Sequence, residues 1–169
     1  MSQNPPWQRR QEIPDPQVLD AADQYETASR LLWEHSRDEG ILLPFLNTSM
    51  TAVELYLKAL SSRSLHVPQD DGVSMVYADP DVWGHAPSLL MDALPKDVRL
   101  AMEERYGQQH DDGSLRDRCA QYDQLFKASR YPFDEKLDVS GISIDPLREL
   151  VRFLKDFVHA HPSEIRISW

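Results

Sequence analysis

The segment Thr51-Ala-Val-Glu-Leu-Tyr-Leu-Lys-Ala-Leu60 combines helical periodicity with almost no polar face. Ala52, Leu55 and Ala59, with Tyr56 at the margin, recur at three- and four-residue steps, so they share one face of an α-helix. Glu54 and Lys58 are four apart, acid before base, a pairing that supports a helix by about 0.2–0.5 kcal/mol. Val53, Leu57 and Leu60 widen the apolar arc until little of the helix is left for water. Such a helix belongs at the centre of a bundle. The segment therefore predicts a central helix from about Phe45 to Ser62, with Leu55 in its buried stripe.

Working outward, Asp15-Pro16 opens a preceding helix, with Asp as N-cap and Pro at the first helical position. Leu19, Ala22, Tyr25, Ala28 and Leu32 give its inward steps, and Gly40 ends it. Pro44 suits the first turn of the central helix and would break its middle. The short connection at Gly40 makes the two helices antiparallel neighbours. Residues 1–14 read as a polar, proline-containing arm in which Trp7 either docks on the body or stays exposed. From Arg63 to Gly84 the pattern dissolves into a long acidic loop carrying Asp70, Asp71, Asp79 and Asp81. Its spacing does not match a calcium-binding EF-hand.

Beyond Gly84-His85, Leu89, Leu90 and Ala93 mark a short third helix, and Val98, Ala101, Met102 and Tyr106 another amphipathic piece. His110-Asp111-Asp112 reads as a polar turn. Ser114 to Ser129 reads as one long helix, with Leu115, Cys119, Tyr122, Leu125 and Phe126 inward. Pro132 stops it. Lys136 to Asp145 alternates apolar and polar residues, as either a small β-hairpin or an ordered loop. Asp145-Pro146 repeats the N-cap and proline signal, and the last helix, with Leu147, Leu150, Val151, Leu154, Phe157 and Val158 inward, runs to Ala160. Residues 162–169 form a tail apolar enough to pack against something. The fold class expected is all-α: an up-and-down bundle of four to five main helices over 15–161, with a long acidic loop and a small hairpin before the last helix.

The 169 residues suit one domain with a full core, and 41% hydrophobic with 27% charged residues is ordinary globular composition. A net charge of −10 argues against a surface that coats nucleic acid and against a membrane-surface role. Apolar runs are too short to span a bilayer, and the N-terminus lacks the features of a signal peptide. The lone Cys119 forms no internal disulfide and no cysteine-rich zinc site. These points predict a cytoplasmic protein with no metal, no cofactor and no membrane partner.

Three stretches in order, Ala52 to Leu60, then Gly84-His85 before Leu89-Leu90, then Ser129-Arg-Tyr-Pro132, resemble the HEPN superfamily (higher eukaryotes and prokaryotes nucleotide-binding domains). The resemblance covers roughly Ala22 to Ala160. It implies an α-bundle that is often a homodimer, similar to domains that accompany a nucleotidyltransferase or serve in toxin–antitoxin and phage-defence systems. It singles out Glu54, Lys58, His85, Arg130 and Tyr131 as ligand-binding positions, the last two suited to a nucleotide's phosphate and base. Read from the residues alone, Glu54–Lys58 is a helix-surface ion pair, His85 orients the third helix, and Arg130 and Tyr131 pack at a helix end.

Ribonucleases of the superfamily use an arginine, four to six residues, and a histidine, with no metal. In such a site His acts on the RNA 2′-hydroxyl and Arg stabilises the phosphorane. Arg152 and His159 have this spacing and share a helix face two turns apart. Arg30/His35 and Arg105/His110 match it too, but the first pair diverges around its helix and the second straddles Gly107. Catalytic members usually carry a polar residue after the arginine, where this chain has Phe153. The leading expectation is thus a non-catalytic or partner-dependent HEPN-like module that binds a protein partner or a nucleotide-containing ligand. The alternatives are a metal-independent endoribonuclease toxin built on Arg152 and His159 in a dimer, with RNA as substrate only in that case, and a structural dimerisation protein.

Overall fold

The structure, a computed structural model, describes residues 8–68, 74–78, 84–130 and 142–168. Within them the chain runs β1 (Gln8–Ile13), α1 (Pro16–Glu39), α2 (Leu42–Ala59), β2 (Ser64–Pro68), β3 (Ser74–Ala78), α3 (Pro87–Asp92), α4 (Lys96–Gln109), α5 (Leu115–Ala120), α6 (Leu125–Arg130), α7 (Ile144–Ala160) and β4 (Glu164–Ser168). The molecule is mostly helical, but it is not all-α. A four-stranded antiparallel sheet of order β3-β2-β1-β4 joins the bundle.

α2 lies at the centre. Ala52, Val53, Tyr56, Leu57, Ala59 and Leu60 are fully buried within one core that α3, α4, α5, α6 and α7 also supply. Of the expected stripe, Ala52, Tyr56 and Ala59 are buried and one member departs. Leu55 is only partly buried at the core margin, whereas Glu54 is buried. A carboxylate in that place needs partners, and it has two, described below.

α1 begins as its sequence requires: the Asp15 carboxylate accepts from the amides of Gln17 (3.0 Å) and Val18 (3.2 Å), with Pro16 next. Gly40 closes it in the left-handed region at φ 66°, which a side chain would oppose. Leu19, Ala22 and Leu32 of the expected inward face pack in or against the core, and Tyr25 departs from it. Ala22 and Ser29 are buried while Tyr25 is exposed, and the Ser29 hydroxyl hydrogen-bonds that of Ser49 on α2 at 2.6 Å. Small residues on both helices let α1 and α2 lie close.

The long helix expected over 114–129 is two short ones. At Tyr122, Asp123 and Leu125 the amides bond back three residues instead of four, tightening the chain between α5 and α6. Tertiary bonds hold this break: the amide and hydroxyl of Ser88 donate to the Asp123 carboxylate (2.9 and 2.5 Å), and the Tyr122 hydroxyl donates to the Ser143 carbonyl (2.9 Å). α7 starts at Ile144 with Ser143 as its N-cap residue, two residues ahead of the cap expected at Asp145, and Asp145 instead accepts from Arg148 at 3.3 Å. All six expected inward residues of α7 are buried, joined by Phe153, which meets Tyr106 edge-on at 5.1 Å.

The sheet revises three further expectations. Gln8–Ile13, inside the segment expected as a loose arm, is an inner strand. Ser64–Pro68 and Ser74–Ala78 are strands inside the expected acidic loop, whose Asp70, Asp71, Asp79 and Asp81 lie outside the described residues. The C-terminal tail is β4, with Glu12 opposite Ile165 and Arg10 opposite Ile167. Gln11 and Ile13 on the other face are buried against the bundle. The Asp15 amide donates to the Ala59 carbonyl at 2.7 Å, tying the end of β1 to the end of α2. Trp7, and most of the hairpin expected over 136–145, lie outside the described residues; Ile144 and Asp145 already belong to α7.

Candidate functional site

Four of the residues singled out by sequence are linked to one aromatic ring: His85 and Arg130 touch Phe126, and Glu54 and Lys58 join through His85. From α2, the buried Glu54 carboxylate accepts from Lys58 Nζ at 2.6 Å. The same carboxylate lies 3.0 Å from His85 Nδ1 through both oxygens. An ionised carboxylate only accepts, so Nδ1 carries the proton and Nε2 is the outward nitrogen. The imidazole stacks on Phe126 of α6, centroids 4.6 Å apart and planes 15° apart. The Arg130 guanidinium lies 4.0 Å from the centroid of the same ring.

The electrostatics follow from burial. Glu54 has a side chain 9% exposed, so its charge would be costly alone. Lys58 and His85 supply the compensating donors, and both keep part of their surface in water. Arg130 is exposed and Phe126 is buried. The result is a buried anion beneath a set of more exposed cationic donors. Such a surface can hold a phosphate at Arg130, with the outward Nε2 of His85 beside the same ring. Tyr131, the fifth ligand-binding candidate, lies outside the described residues.

Arg152 and His159 share α7 but not a site. His159 Nε2 is 2.9 and 3.0 Å from the two oxygens of Asp23 on α1. Asp23 also accepts from the Tyr56 hydroxyl at 2.8 Å. Burial, and then that hydrogen bond, push the Tyr56 phenol well above its ordinary pKa, so it stays a neutral donor. One turn back on α7, Lys155 Nζ donates to Glu26 at 2.7 Å. This closed ion pair stands between Arg152 and His159. Arg152 has no hydrogen-bond or ion-pair partner among the described residues, and it lines a cleft of about 380 Å³ with Arg30, Trp33, Phe45 and Arg148. Arg148 sits over the Trp33 ring at 4.9 Å.

The remaining candidates have structural employment. His110 stacks on Tyr106 at 4.3 Å, and Asp112 pairs with Arg118. Arg30 pairs with Glu34 at 3.0 Å, and His35 Nδ1 bonds the Leu31 carbonyl at 2.8 Å. Cys119 is buried, and desolvation pushes its thiol up to about 12. Among the described residues no group of three or more His, Cys, Asp or Glu side chains is placed to hold a metal ion. No described helix is long and apolar enough to cross a membrane.

Sequence reasoning assigned Phe126 only to the core and missed its place as the platform for His85 and Arg130. It also missed Asp23 as the partner of His159. Asp23 looks like any exposed acid on an amphipathic helix, and its partner is 136 residues away. In comparison with known proteins, the chain matches no family model, no curated protein and no solved structure.

Proposed function

We propose that this chain is a HEPN-like, non-catalytic or partner-dependent binding module, and that its ligand is nucleotide-containing. The observation that carries the reading is the stacking of His85 and Arg130 on Phe126, with His85 held by the buried Glu54 that Lys58 also pairs with, from three separate segments. Ion pairs that merely decorate a surface have no need to share one ring and one buried carboxylate. The arrangement offers an anion-binding guanidinium and ammonium, with a flat imidazole beside them for a base or sugar hydroxyl. In a thermal-shift screen, adenosine 5′-monophosphate should raise the melting temperature of wild type and not of Arg130→Ala. No shift with any nucleotide removes the ligand from the reading.

The second reading, a metal-independent endoribonuclease, is favoured by the Asp23–His159 contact. A histidine oriented by a carboxylate is the general-base arrangement. In one chain the Lys155–Glu26 pair separates His159 from Arg152, so this reading requires a dimer that completes the site. Metal-free RNA cleavage by wild type, lost in His159→Ala, would establish it; absence of cleavage removes it.

A further inference from the structure

We infer that β4 is the docking edge for a second copy of this chain, pairing antiparallel with its own counterpart so that two sheets join into one. β4 is an end strand of the sheet among the described residues, held on one side by β1 through five consecutive residue pairs. Side chains alternate between the two faces of a strand. Ile165 and Ile167 therefore share the outer face, opposite Glu12 and Arg10 of β1, and they are 52% and 55% exposed. Glu164 and Arg166 share the bundle-facing side with Ile13 and Gln11.

This edge lacks the devices that keep end strands apart. No proline, lysine or bulge interrupts Glu164–Ser168, and its register with β1 is unbroken. Proteins that avoid edge pairing place such interruptions there. Two exposed isoleucines within five residues are the opposite composition, since β-branched side chains favour a strand and apolar surface in water favours association.

The residues of the strand select both partner and register. Two copies of one strand pair antiparallel about a twofold axis, and like-facing positions must meet for each side chain to keep its face. A pair centred on Ile165 sets that residue against Ile165 of the second copy, and sets Glu164 against Arg166 twice. Cross-strand pairs of opposite charge and of β-branched residues are favourable. Ile167 is then diagonal to the second copy's Ile165, so four isoleucines form one outer patch. A pair centred on Arg166 would instead oppose two guanidinium groups, which is unfavourable. Within one copy Arg166 already pairs with Glu164 and Asp97. Glu164 and Arg166 nevertheless keep more than a third of their side-chain surface in water, so the second copy extends these pairs into a ladder of alternating charge. β3, the other end strand, carries no charged residue from Ser74 to Ala78 and has nothing comparable to set a register. One short strand from each copy makes a small contact, so association is weak and reversible, in about the micromolar range. The inference does not rest on the Phe126 cluster.

The test is sedimentation velocity of the full chain across a concentration series. Wild type should pass from monomer to dimer as concentration rises. Ile165→Lys and Ile165→Glu change an exposed position, so each should keep the helical circular dichroism. Each should weaken association at least tenfold, because like charges then face each other. An equimolar mixture of the two variants should regain the dimer, since lysine then faces glutamate. Glu164→Arg, which opposes two guanidinium groups, should also weaken association at least tenfold. Should an Ile165 variant fail to fold, Glu164→Arg carries the test alone. Wild type that stays monomeric up to about 1 mM, a dimer indifferent to Ile165→Lys or to Glu164→Arg, or a mixture no more associated than its separate variants would each overturn the proposal.

Discussion

The carboxylate of Glu54 and the imidazole of His85, 31 residues apart, meet at 3.0 Å and fix each other's orientation. Glu54 thereby anchors two donors, since Lys58 reaches it from the next turn. Glu54→Gln should release both. Hydrogen bonds to charged groups contribute about 1.5–3 kcal/mol, so chemical denaturation should register a loss near the lower end of that range, His85 and Lys58 being partly solvated. Nucleotide affinity should fall with it. Unchanged stability would mean that the contact contributes little.

Burial along α2 separates neighbouring leucines. Leu57 is fully buried, and Leu55 sits at the core margin. Leu57→Ala should cost about 2–5 kcal/mol, the range for truncating a packed aliphatic side chain. Leu55→Ala should cost clearly less, and urea denaturation of the two variants gives the order directly. A reversed order would place the helix one residue out of register.

Cys119 should be unreactive in the native protein. Its thiol is buried and held protonated, with desolvation pushing it up to about 12, and the thiolate is the nucleophile. Ellman's reagent at pH 8 should leave it unmodified until denaturant is added, then titrate one thiol. Rapid native labelling would contradict its burial.

Asp97 on α4 and Arg166 on β4 link the bundle to the sheet, with Arg166 Nη2 donating to Oδ2 at 2.6 Å. The hydrogen bond from Arg166 holds the Asp97 carboxyl below the ordinary carboxylate range. A depressed carboxyl stabilises the fold above its unfolded-state pKa and loses that contribution as pH falls through its folded-state pKa. The pair is exposed, so its worth at neutral pH is about 0.2–1 kcal/mol and is screened by salt. Asp97→Asn should therefore be slightly less stable than wild type near pH 7, and the two should converge in acid. Parallel stability curves across that range would show that the pair is energetically silent.

The sequence made the local signals of this fold readable and hid the long-range ones. Asp15, Pro16 and Gly40 delimit α1 because caps act within a turn, and the stripe from Leu147 to Val158 marks α7 because each residue faces the same neighbour. The sheet was hidden because Gln8 to Ile13 is mostly polar and becomes a strand only through pairing with β2 and β4. The break at Tyr122–Gln124 was hidden too, since unbroken helical spacing carries no trace of Ser88 reaching Asp123. At the Phe126 cluster the residue types were legible, but the fact that Glu54 is buried and shared was not, because its partner His85 arrives from beyond the two strands β2 and β3.

Calorimetric titration of adenosine 5′-monophosphate into wild type and Arg130→Ala tests the nucleotide site most directly. Saturable binding by wild type that falls at least tenfold in Arg130→Ala is the outcome expected of a nucleotide site on Phe126. Absence of binding to wild type, or binding untouched by loss of Arg130, would contradict it.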